Sequence, residues 1–213
     1  MTTAAFDILL GEIAAAIADM PVDRRMETAL NQRFGPETPA FAALRAFCLE
    51  GERDGWLLQR QNGDIKFGRV IKPHTKAGKF SVDVVRMKNV VGPHHVHTNG
   101  EIGLIIPIDD SARFDGKAEG WYVYPVGSDH HPTVSDGDAY VLYMLPDGAI
   151  EFTGLQSGMP KSRSDVRQKS RDNKDLEPDD DSKKRHQAAA ADPPASPIKT
   201  LRMIKKATWG TPF

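Results

Sequence analysis

Cysteine is almost absent from this chain of 213 residues, which contains only Cys48. A single thiol excludes a framework of intramolecular disulfides, and such sparse use of cysteine is typical of proteins in a reducing cytosol. Cys48 itself lies in an amphipathic stretch over residues 41–48, a pattern that favours a buried helical thiol over a nucleophile. We therefore expect a cytoplasmic protein without disulfide bonds.

Long apolar runs and glycine-rich loops are lacking too. No stretch approaches the roughly 20 apolar residues that cross a bilayer, and Asp7 and Glu12 interrupt the apolar N-terminal segment, which has no basic beginning. Neither membrane insertion nor export is predicted. No glycine-rich loop follows a predicted strand, so a dinucleotide cofactor is not expected.

Charge is close to balanced overall but is unevenly divided along the chain. Residues 1–156 contain 15 Lys and Arg against 21 Asp and Glu, whereas residues 157–213 contain 13 against 8. Residues 161–197 have almost no large apolar side chain, too few to offset an ordering cost of about 1–2 kcal/mol per residue. We predict a charged, largely disordered tail over residues 157–213. Its basic cluster, residues 183–185, has acidic neighbours and no interleaved aromatic residue, so no nucleic-acid partner is expected.

Helical periodicity is confined to the first quarter of the chain. The three predicted helices cover residues 3–19, 22–34 and 38–51. Thr38 followed by Pro39 is a typical helix start, because the hydroxyl can cap the first turn and proline lacks an amide hydrogen that would go unpaired there. These helices form a predicted N-terminal segment, residues 1–54, that packs on the domain after it.

From Trp56 onward the apolar period becomes that of short strands. Asn62 and Gly63 separate two such runs and predict a hairpin with a type I′ turn. The further predicted strands cover residues 80–87, 90–97, 101–108, 120–124, 139–145 and 149–153. Many short strands separated by turn residues are typical of a sandwich or small barrel, which we place at residues 55–156.

Four side chains that can bind metal are concentrated in two short segments. His95 and His97 are two residues apart, so on a strand both side chains leave the same face. Glu101 follows a polar, turn-like stretch that can bring its carboxylate back to the same point, and His130 follows a proline–glycine turn at residues 125–127. Imidazole nitrogens with a carboxylate oxygen suit Zn, Mn, Fe, Ni or Cu, so the pattern predicts a divalent-metal site.

The neighbouring histidines leave alternatives open. His94 and His131 point away from the four ligand residues on an extended chain, so each is interpreted as a surface residue or as a support for a ligand. His131 in place of His130 is an alternative fourth ligand. A blander interpretation makes all these histidines polar residues of a surface loop. The independent fit of Glu101 and of the turn before His130 argues against it.

The two segments read H-x-H-x-x-x-E and G-x-x-x-x-P-x-G-x-x-H, and they resemble the two signature motifs of the cupin superfamily. The resemblance implies a mainly β fold, a cupin-like small β-barrel (jelly roll), preceded here by the helical segment and followed by the disordered tail. It also implies that His95, His97, Glu101 and His130 bind the metal. The two departures from the motifs concern turn positions, Ile108 and Val134.

Longer runs resemble the 4-hydroxylaminobenzoate lyase family of nitroaromatic-degrading bacteria. These runs cover residues 99–109, 114–116, 120–127, 131–134 and 143–152, within a similarity that extends over about residues 5–155. The resemblance implies a carbon–nitrogen lyase that converts 4-hydroxylaminobenzoate, a small aromatic acid, to protocatechuate with release of ammonia. It further implies a divalent metal, Fe, Mn, Zn or Ni, and cupins in general suggest a homodimer by analogy.

In that reaction we expect the metal to bind the N-hydroxyl oxygen of the substrate and assist N–O cleavage, while water adds to the ring. Glu101 and His130 are the predicted catalytic residues, His130 by activating water and Glu101 by moving a proton if it is only loosely coordinated.

The substrate itself needs a cation for its carboxylate and a partner for its ring. Arg86, with Arg69 as second choice, is predicted to pair the carboxylate, because arginine can bind it through two parallel hydrogen bonds. Tyr122 and Tyr124 share one face of a predicted strand and are predicted to stack on the ring, although core packing is the commoner role of such residues.

Two other functional classes are compatible with the same motif. One is a cupin oxygenase or isomerase that acts on a different small acid. The other is a non-catalytic, metal-dependent binding module that recognises its partner through the charged tail.

Overall fold

A computed structural model describes residues 3–155 of the chain, and the predicted tail, residues 157–213, lies outside them. The helices are α1 (Thr3–Ile17), α2 (Arg24–Phe34) and α3 (Pro39–Arg53). The strands are β1 (Arg60–Asn62), β2 (Ile65–Ile71), β3 (Phe80–Val91), β4 (His95–Val96), β5 (Glu101–Pro107), β6 (Arg113–Phe114), β7 (Gly120–Tyr124), β8 (Asp129–His130), β9 (Thr133–Pro146) and β10 (Glu151–Phe152). Within residues 3–155 no helix has the length and apolar character needed to cross a membrane. The prediction of a mainly β domain preceded by helices is confirmed.

Local capping explains where the helices begin. The Thr38 hydroxyl accepts a hydrogen bond from the Phe41 amide at 3.2 Å, with Pro39 in the first turn, as predicted for α3. Helix α2 begins two residues later than predicted, because the Asp23 carboxylate accepts from the first amides of the helix. Cys48 is fully buried in α3, and burial, with a smaller effect of the Glu52 charge, raises the pKa of its thiol to about 12. The predicted burial of Cys48 in a helix is confirmed, and the raised pKa disfavours the reactive thiolate.

The strands form two antiparallel sheets. The larger sheet has the order β1-β2-β3-β9-β5-β7, with β6 paired to β9, and the smaller sheet has the order β10-β4-β8. Several details differ from the prediction. The hairpin turn is Gly63-Asp64, one residue later than expected, with positive φ at Gly63 only, as in a type II′ turn. Residues 80–91 form one strand with a register shift near Lys88, and Trp56 packs on Phe6 in the helical layer instead of entering a strand.

The larger sheet has one face towards the helices and one towards the smaller sheet. Strand β5 shows the division: Ile102, Leu104 and Ile106 pack in the cluster that contains the helical side chains, which defines the helix face. Ile105 packs in a second cluster with Phe114, Tyr122 and Tyr143, and this cluster defines the inner face. Because side chains alternate along a strand, residue parity decides which face a side chain joins.

Helix α2 covers the edge of the larger sheet at β7. The Asn31 side chain accepts from the Trp121 amide at 2.9 Å and donates to the Trp121 carbonyl at 2.8 Å, as a neighbouring strand would. The Glu27 carboxylate accepts from the Val123 amide at 3.0 Å. Side chains of α2 thereby bind the backbone groups at the outer edge of β7. This keeps the strand in register and blocks pairing with another chain.

A charged network ties α3 to the helix face. Glu52 accepts hydrogen bonds from Lys66, Arg86 and Tyr140, and Arg86 also makes a paired contact with Asp138. Burial by itself would raise the pKa of Glu52, but the three donors and the Arg86 charge lower it to about 2. The ionised carboxylate is therefore favoured in the folded protein over the unfolded one.

The stability contributed by Glu52 should depend on pH. Since the folded-state pKa is lowered from 4.5 to about 2, the contribution is complete above about pH 5 and is lost as the pH falls towards 2. Glu52→Gln should lower the free energy of unfolding by about 2 kcal/mol at pH 7, and the difference from the parent should shrink on acidification. Urea unfolding at several pH values measures this difference.

Glu37→Gln serves as the control, because Glu37 is an exposed carboxylate of the turn before α3. A Glu52→Gln difference that is constant from pH 7 to pH 2.5, or no larger than that of Glu37→Gln, would contradict the proposed network.

Candidate metal centre

The structure brings four predicted ligands together where the two sheets meet. His95 lies on β4 and pairs in register with His130 on β8, His97 follows β4, and Glu101 begins β5. Their four potential ligand atoms lie within 4.8 Å of one another. His95, His97 and Glu101 are buried, and His130 keeps 15% of its side chain exposed, so the His130 side of the cluster is the one nearest to solvent.

A tight turn returns the chain from His97 to Glu101. The Gly100 amide donates to the His97 carbonyl at 3.1 Å, and Gly100 has φ 83, a conformation that favours glycine. A Cβ at this position would also lie 2.6 Å from the Val22 side chain. Glycine is therefore required on two grounds, and the turn places the carboxylate opposite the imidazoles.

Each of the three imidazoles has its Nδ1 atom fixed by an oxygen acceptor. The contacts are Pro93 O at 3.2 Å from His95, Ser128 Oγ at 2.9 Å from His97 and Asp115 Oδ2 at 2.6 Å from His130. Ser128 already donates its hydroxyl hydrogen to Pro125 O at 2.6 Å, so it accepts from His97. An oxygen acceptor at Nδ1 requires the proton there and leaves the Nε2 lone pair of each ring directed into the cluster.

The result is a convergence of hydrogen-bond acceptors without a donor. Nε2 of His95 and Nε2 of His130 are 3.1 Å apart. Nε2 of His97 and Oε2 of Glu101 are also 3.1 Å apart, yet both are buried and neither makes a hydrogen bond to a described group. Such an arrangement is unfavourable unless a positive charge, an extra proton or a cation, lies among the four atoms. The donor set of three nitrogens and one oxygen fits Zn, Mn, Fe or Ni.

Tyr122 fixes the orientation of the Glu101 carboxylate. The Tyr122 hydroxyl donates to Oε1 of Glu101 at 2.9 Å, which turns Oε2 towards the imidazoles. Burial would raise the pKa of Glu101, whereas His95 and His97 lower it to about 2 through hydrogen bonds and charge when their rings carry the extra proton, so the carboxylate is the group that the positive charge in the cluster stabilises. Gly103 makes room for Tyr122, because a Cβ there would lie 2.0 Å from the phenol ring.

Tyr122 and Tyr124 were predicted to stack on the substrate ring, and the structure places both beside the cluster. Tyr124 stacks on His97 with ring centroids 5.4 Å apart and donates its hydroxyl to Asp115 at 2.8 Å. Tyr122 is buried against Phe114. Burial and the adjacent carboxylates raise the pKa of both phenols, so they remain hydrogen-bond donors. These contacts favour a role in holding the cluster over a role in stacking.

The predicted carboxylate-binding arginines do not join the cluster. Arg86 points to the helix face, where Glu52 and Asp138 bind its guanidinium, because position 86 has the parity of the helix-face residues of β3. Arg69, the second choice, makes a paired contact with Asp83 at 2.9 and 3.1 Å. Both guanidinium groups are thus occupied by acidic side chains of the chain itself.

The other two histidines of the motif point elsewhere. His94 lies between the Asp129 carboxylate at 2.9 Å and the Thr153 hydroxyl at 2.8 Å. The His131 Nδ1 atom contacts Gly92 O, and its ring packs on His94. The ring that enters the cluster is His130, so the geometry favours it over the alternative ligand His131.

Sequence reasoning missed the groups that orient the ligands. Asp115 stands in a Phe-Asp-Gly turn that was noted only for its resemblance to a family, and Ser128 follows the proline–glycine turn. Only the turn composition signalled that these positions are close to the ligands.

Comparisons with known proteins identify a matching family and similar sequences. Residues 9–152 match the model of a family described as 4-hydroxylaminobenzoate lyase. A 4-hydroxylaminobenzoate lyase of Pseudomonas putida is 25% identical over 166 residues, which cover 68% of this chain and 94% of that protein. One from Nocardioides sp. (strain LMS-CY) is 27% identical over 136 residues, 60% of this chain and 80% of that protein.

The solved structures that match this chain include an RmlC-like cupin protein from Ralstonia eutropha. That match has a TM-score of 0.34 and 13% identity, and it covers 56% of this chain and 82% of that one. Another is an oxalate oxidase in complex with glycolate, at TM-score 0.33 and 18% identity over 53% of this chain and 67% of that one. The described domain is itself cupin-like in its paired antiparallel sheets and in carrying this ligand motif.

Removing a ligand side chain should remove bound metal. We expect His97→Ala and His130→Ala each to lower metal affinity at least tenfold, because three donors hold a divalent ion less tightly than four. Equilibrium dialysis against a fixed free zinc concentration, followed by elemental analysis, measures the bound fraction. His131→Ala is the matched control: it removes a neighbouring imidazole outside the cluster and should retain parental affinity. Parental affinity in both ligand variants would refute the ligand set.

Proposed function

Because the chain belongs to the 4-hydroxylaminobenzoate lyase family, we propose that it is a metal-dependent lyase that converts 4-hydroxylaminobenzoate to protocatechuate and ammonia. The observation that carries the metal dependence is the convergence of three imidazole nitrogens and one carboxylate oxygen that have no donor among them. The family match supports the substrate, and the cluster supports the chemistry.

The reaction balances without an external oxidant or reductant. 4-Hydroxylaminobenzoate and water together contain the atoms of protocatechuate and ammonia. The N–O bond, the C–N bond and one ring C–H bond break, two C–O bonds to the ring form, and nitrogen leaves as ammonia. Hydrolytic chemistry of this kind needs polarisation of the N–O bond and controlled proton transfer, not a nicotinamide.

A bound divalent ion would supply Lewis acidity towards the N-hydroxyl oxygen of the substrate. His95, His97, Glu101 and His130 would hold that ion. We assign a second task to Glu101 and His130, the two predicted catalytic residues. His130 borders the most exposed side of the cluster, where water can enter, and Glu101 would accept or return a proton at Oε2 when that oxygen is only loosely coordinated, while Tyr122 retains its other oxygen.

The walls of the cluster suit an aromatic substrate. Phe152 lies 5.7 Å from the His95 ring and is only partly buried, and Phe114 lies 6.0 Å from the His130 ring. Apolar rings on two sides exclude water and pack against an aromatic ring of the substrate. We therefore propose Phe152, the more exposed of the two, as the side chain that contacts the ring.

A cation for the substrate carboxylate is available at Lys117. Its ammonium group lies 5.6 Å from the Tyr124 ring centroid, and that ring lies 5.0 Å from the His130 ring. Lys117 is exposed, so its ammonium can reach a ligand at the most exposed side of the cluster. We propose Lys117 in place of Arg86, whose guanidinium is held on the helix face.

Turnover of 4-hydroxylaminobenzoate tests the proposed function. Purified protein reconstituted separately with Fe, Mn, Zn or Ni should form protocatechuate and ammonia in equal amounts, also without oxygen. Chelation should abolish turnover, and His97→Ala should lower kcat/KM at least 100-fold, because the ion that polarises the substrate is lost. Chromatography of the aromatic product and an ammonia assay measure both products. Absence of product with every metal, or full activity after chelation, would contradict the proposal.

The same assay tests the substrate carboxylate. Lys117→Ala should raise KM about tenfold with little change in kcat, since it removes ground-state binding remote from the reacting bond. Lys88→Ala is the control, because Lys88 is an exposed lysine near the end of the paired region of β3 with no contact to the cluster described. Equal KM values for both variants would exclude Lys117.

A further inference from the structure

Asp115 is the most heavily hydrogen-bonded carboxylate beside the cluster. One oxygen, Oδ2, accepts from His130 Nδ1 at 2.6 Å and from the Tyr124 hydroxyl at 2.8 Å. The other, Oδ1, accepts from the Thr133 amide at 2.9 Å. These contacts connect the end of β6, the inner face of β7 and the start of β9 through a single side chain.

His130 depends on Asp115 more than the other imidazoles depend on their acceptors. His95 and His97 are almost fully buried, so packing alone restricts their rings. His130 is the most exposed ligand, and among the described residues its Nδ1 makes its hydrogen bond to Asp115 Oδ2. An imidazole ring in this position can rotate by half a turn and exchange its two nitrogens unless a strong acceptor fixes it. A carboxylate at 2.6 Å is such an acceptor.

We propose that Asp115 is a positioning residue: it fixes the His130 ring with the proton on Nδ1 and the Nε2 lone pair directed at the ligand cluster. The consequence for metal affinity rests on the proposed function, whereas the fixed tautomer of His130 does not. Tyr124 contributes by donating to the same oxygen, which orients the carboxylate towards His130. Asp115 touches no reacting atom and acts only through the ligand.

The backbone explains why aspartate suits this position. Asp115 has φ 48 and the next residue, Gly116, has φ 77, so the two form the centre of a tight turn between Phe114 and Lys117. Aspartate, asparagine and glycine adopt left-handed conformations more readily than other residues. Asp115→Asn and Asp115→Gly therefore preserve the turn, whereas Asp115→Ala would add backbone strain. Asparagine keeps an acceptor oxygen without the charge, and glycine removes both.

Competition titration with a chromophoric zinc chelator measures the effect on affinity. Asp115→Gly should weaken zinc binding about 10- to 100-fold, and Asp115→Asn should weaken it less. Tyr124→Phe, which removes one donor and keeps the ring, should give a small loss in the same direction. The control is Asp136→Gly, because Asp136 is an exposed aspartate that also has a positive φ, 61, and precedes a glycine, but it lies within β9 and makes no described contact with the cluster. It should bind zinc like the parent.

A second measurement reads the ring directly and needs no metal. Long-range proton–nitrogen correlation spectra of the metal-free protein at pH 9 should show the His130 proton on Nδ1 in the parent and in Asp136→Gly, and its redistribution to Nε2 in Asp115→Gly. An unchanged His130 tautomer in Asp115→Gly, together with zinc affinity within twofold of the parent, would overturn the inference. A parent protein that binds none of Fe, Mn, Zn and Ni, together with the tautomer change in Asp115→Gly, would refute the proposed metal dependence and uphold the positioning role.

Discussion

The mutual repulsion of four electron-rich atoms is the constraint on which the site depends. Three Nε2 lone pairs and one carboxylate oxygen meet within 4.8 Å because each imidazole has its other nitrogen hydrogen-bonded outward. Both His97 Nε2 and the Oε2 oxygen of Glu101 are buried and make no hydrogen bond to a described group. Stability gained elsewhere in the fold must hold these groups in place until a cation enters, as expected of sites in which function is maintained at a cost in stability.

The two faces of the larger sheet have separate roles: one supplies the stability of the core, and the other positions the side chains around the cluster. Its helix face forms the main apolar core with α1, α2 and α3. The charged network of Glu52, Arg86 and Asp138 lies on the same face. Its inner face carries the tyrosines that hold Glu101 and Asp115. Because the two sets alternate along the same strands, the core that stabilises the sheet also fixes the direction of every inner-face side chain.

Sequence reasoning predicted which four side chains meet because their spacing is local: two residues along one strand, one short turn, and one histidine after a proline–glycine turn. It also predicted the three helices, whose apolar period and Thr38–Pro39 start are local signals. Arg86 was assigned to the substrate because strand parity does not reveal which face meets the helices; that depends on tertiary packing. Asp115 and Ser128 were missed for a similar reason, since they reach the imidazoles across 15 and 31 positions of the chain.

The central claim is that one divalent ion lies among these four residues, and anomalous diffraction tests it most directly. Crystals of the protein grown with zinc, measured on both sides of the zinc absorption edge, should show one strong anomalous peak about 2.0–2.2 Å from Nε2 of His95, His97 and His130 and from Oε2 of Glu101. An anomalous peak only at another group, such as His94 with Asp129, would contradict the account. Electron density among the four side chains without an anomalous peak would contradict it too.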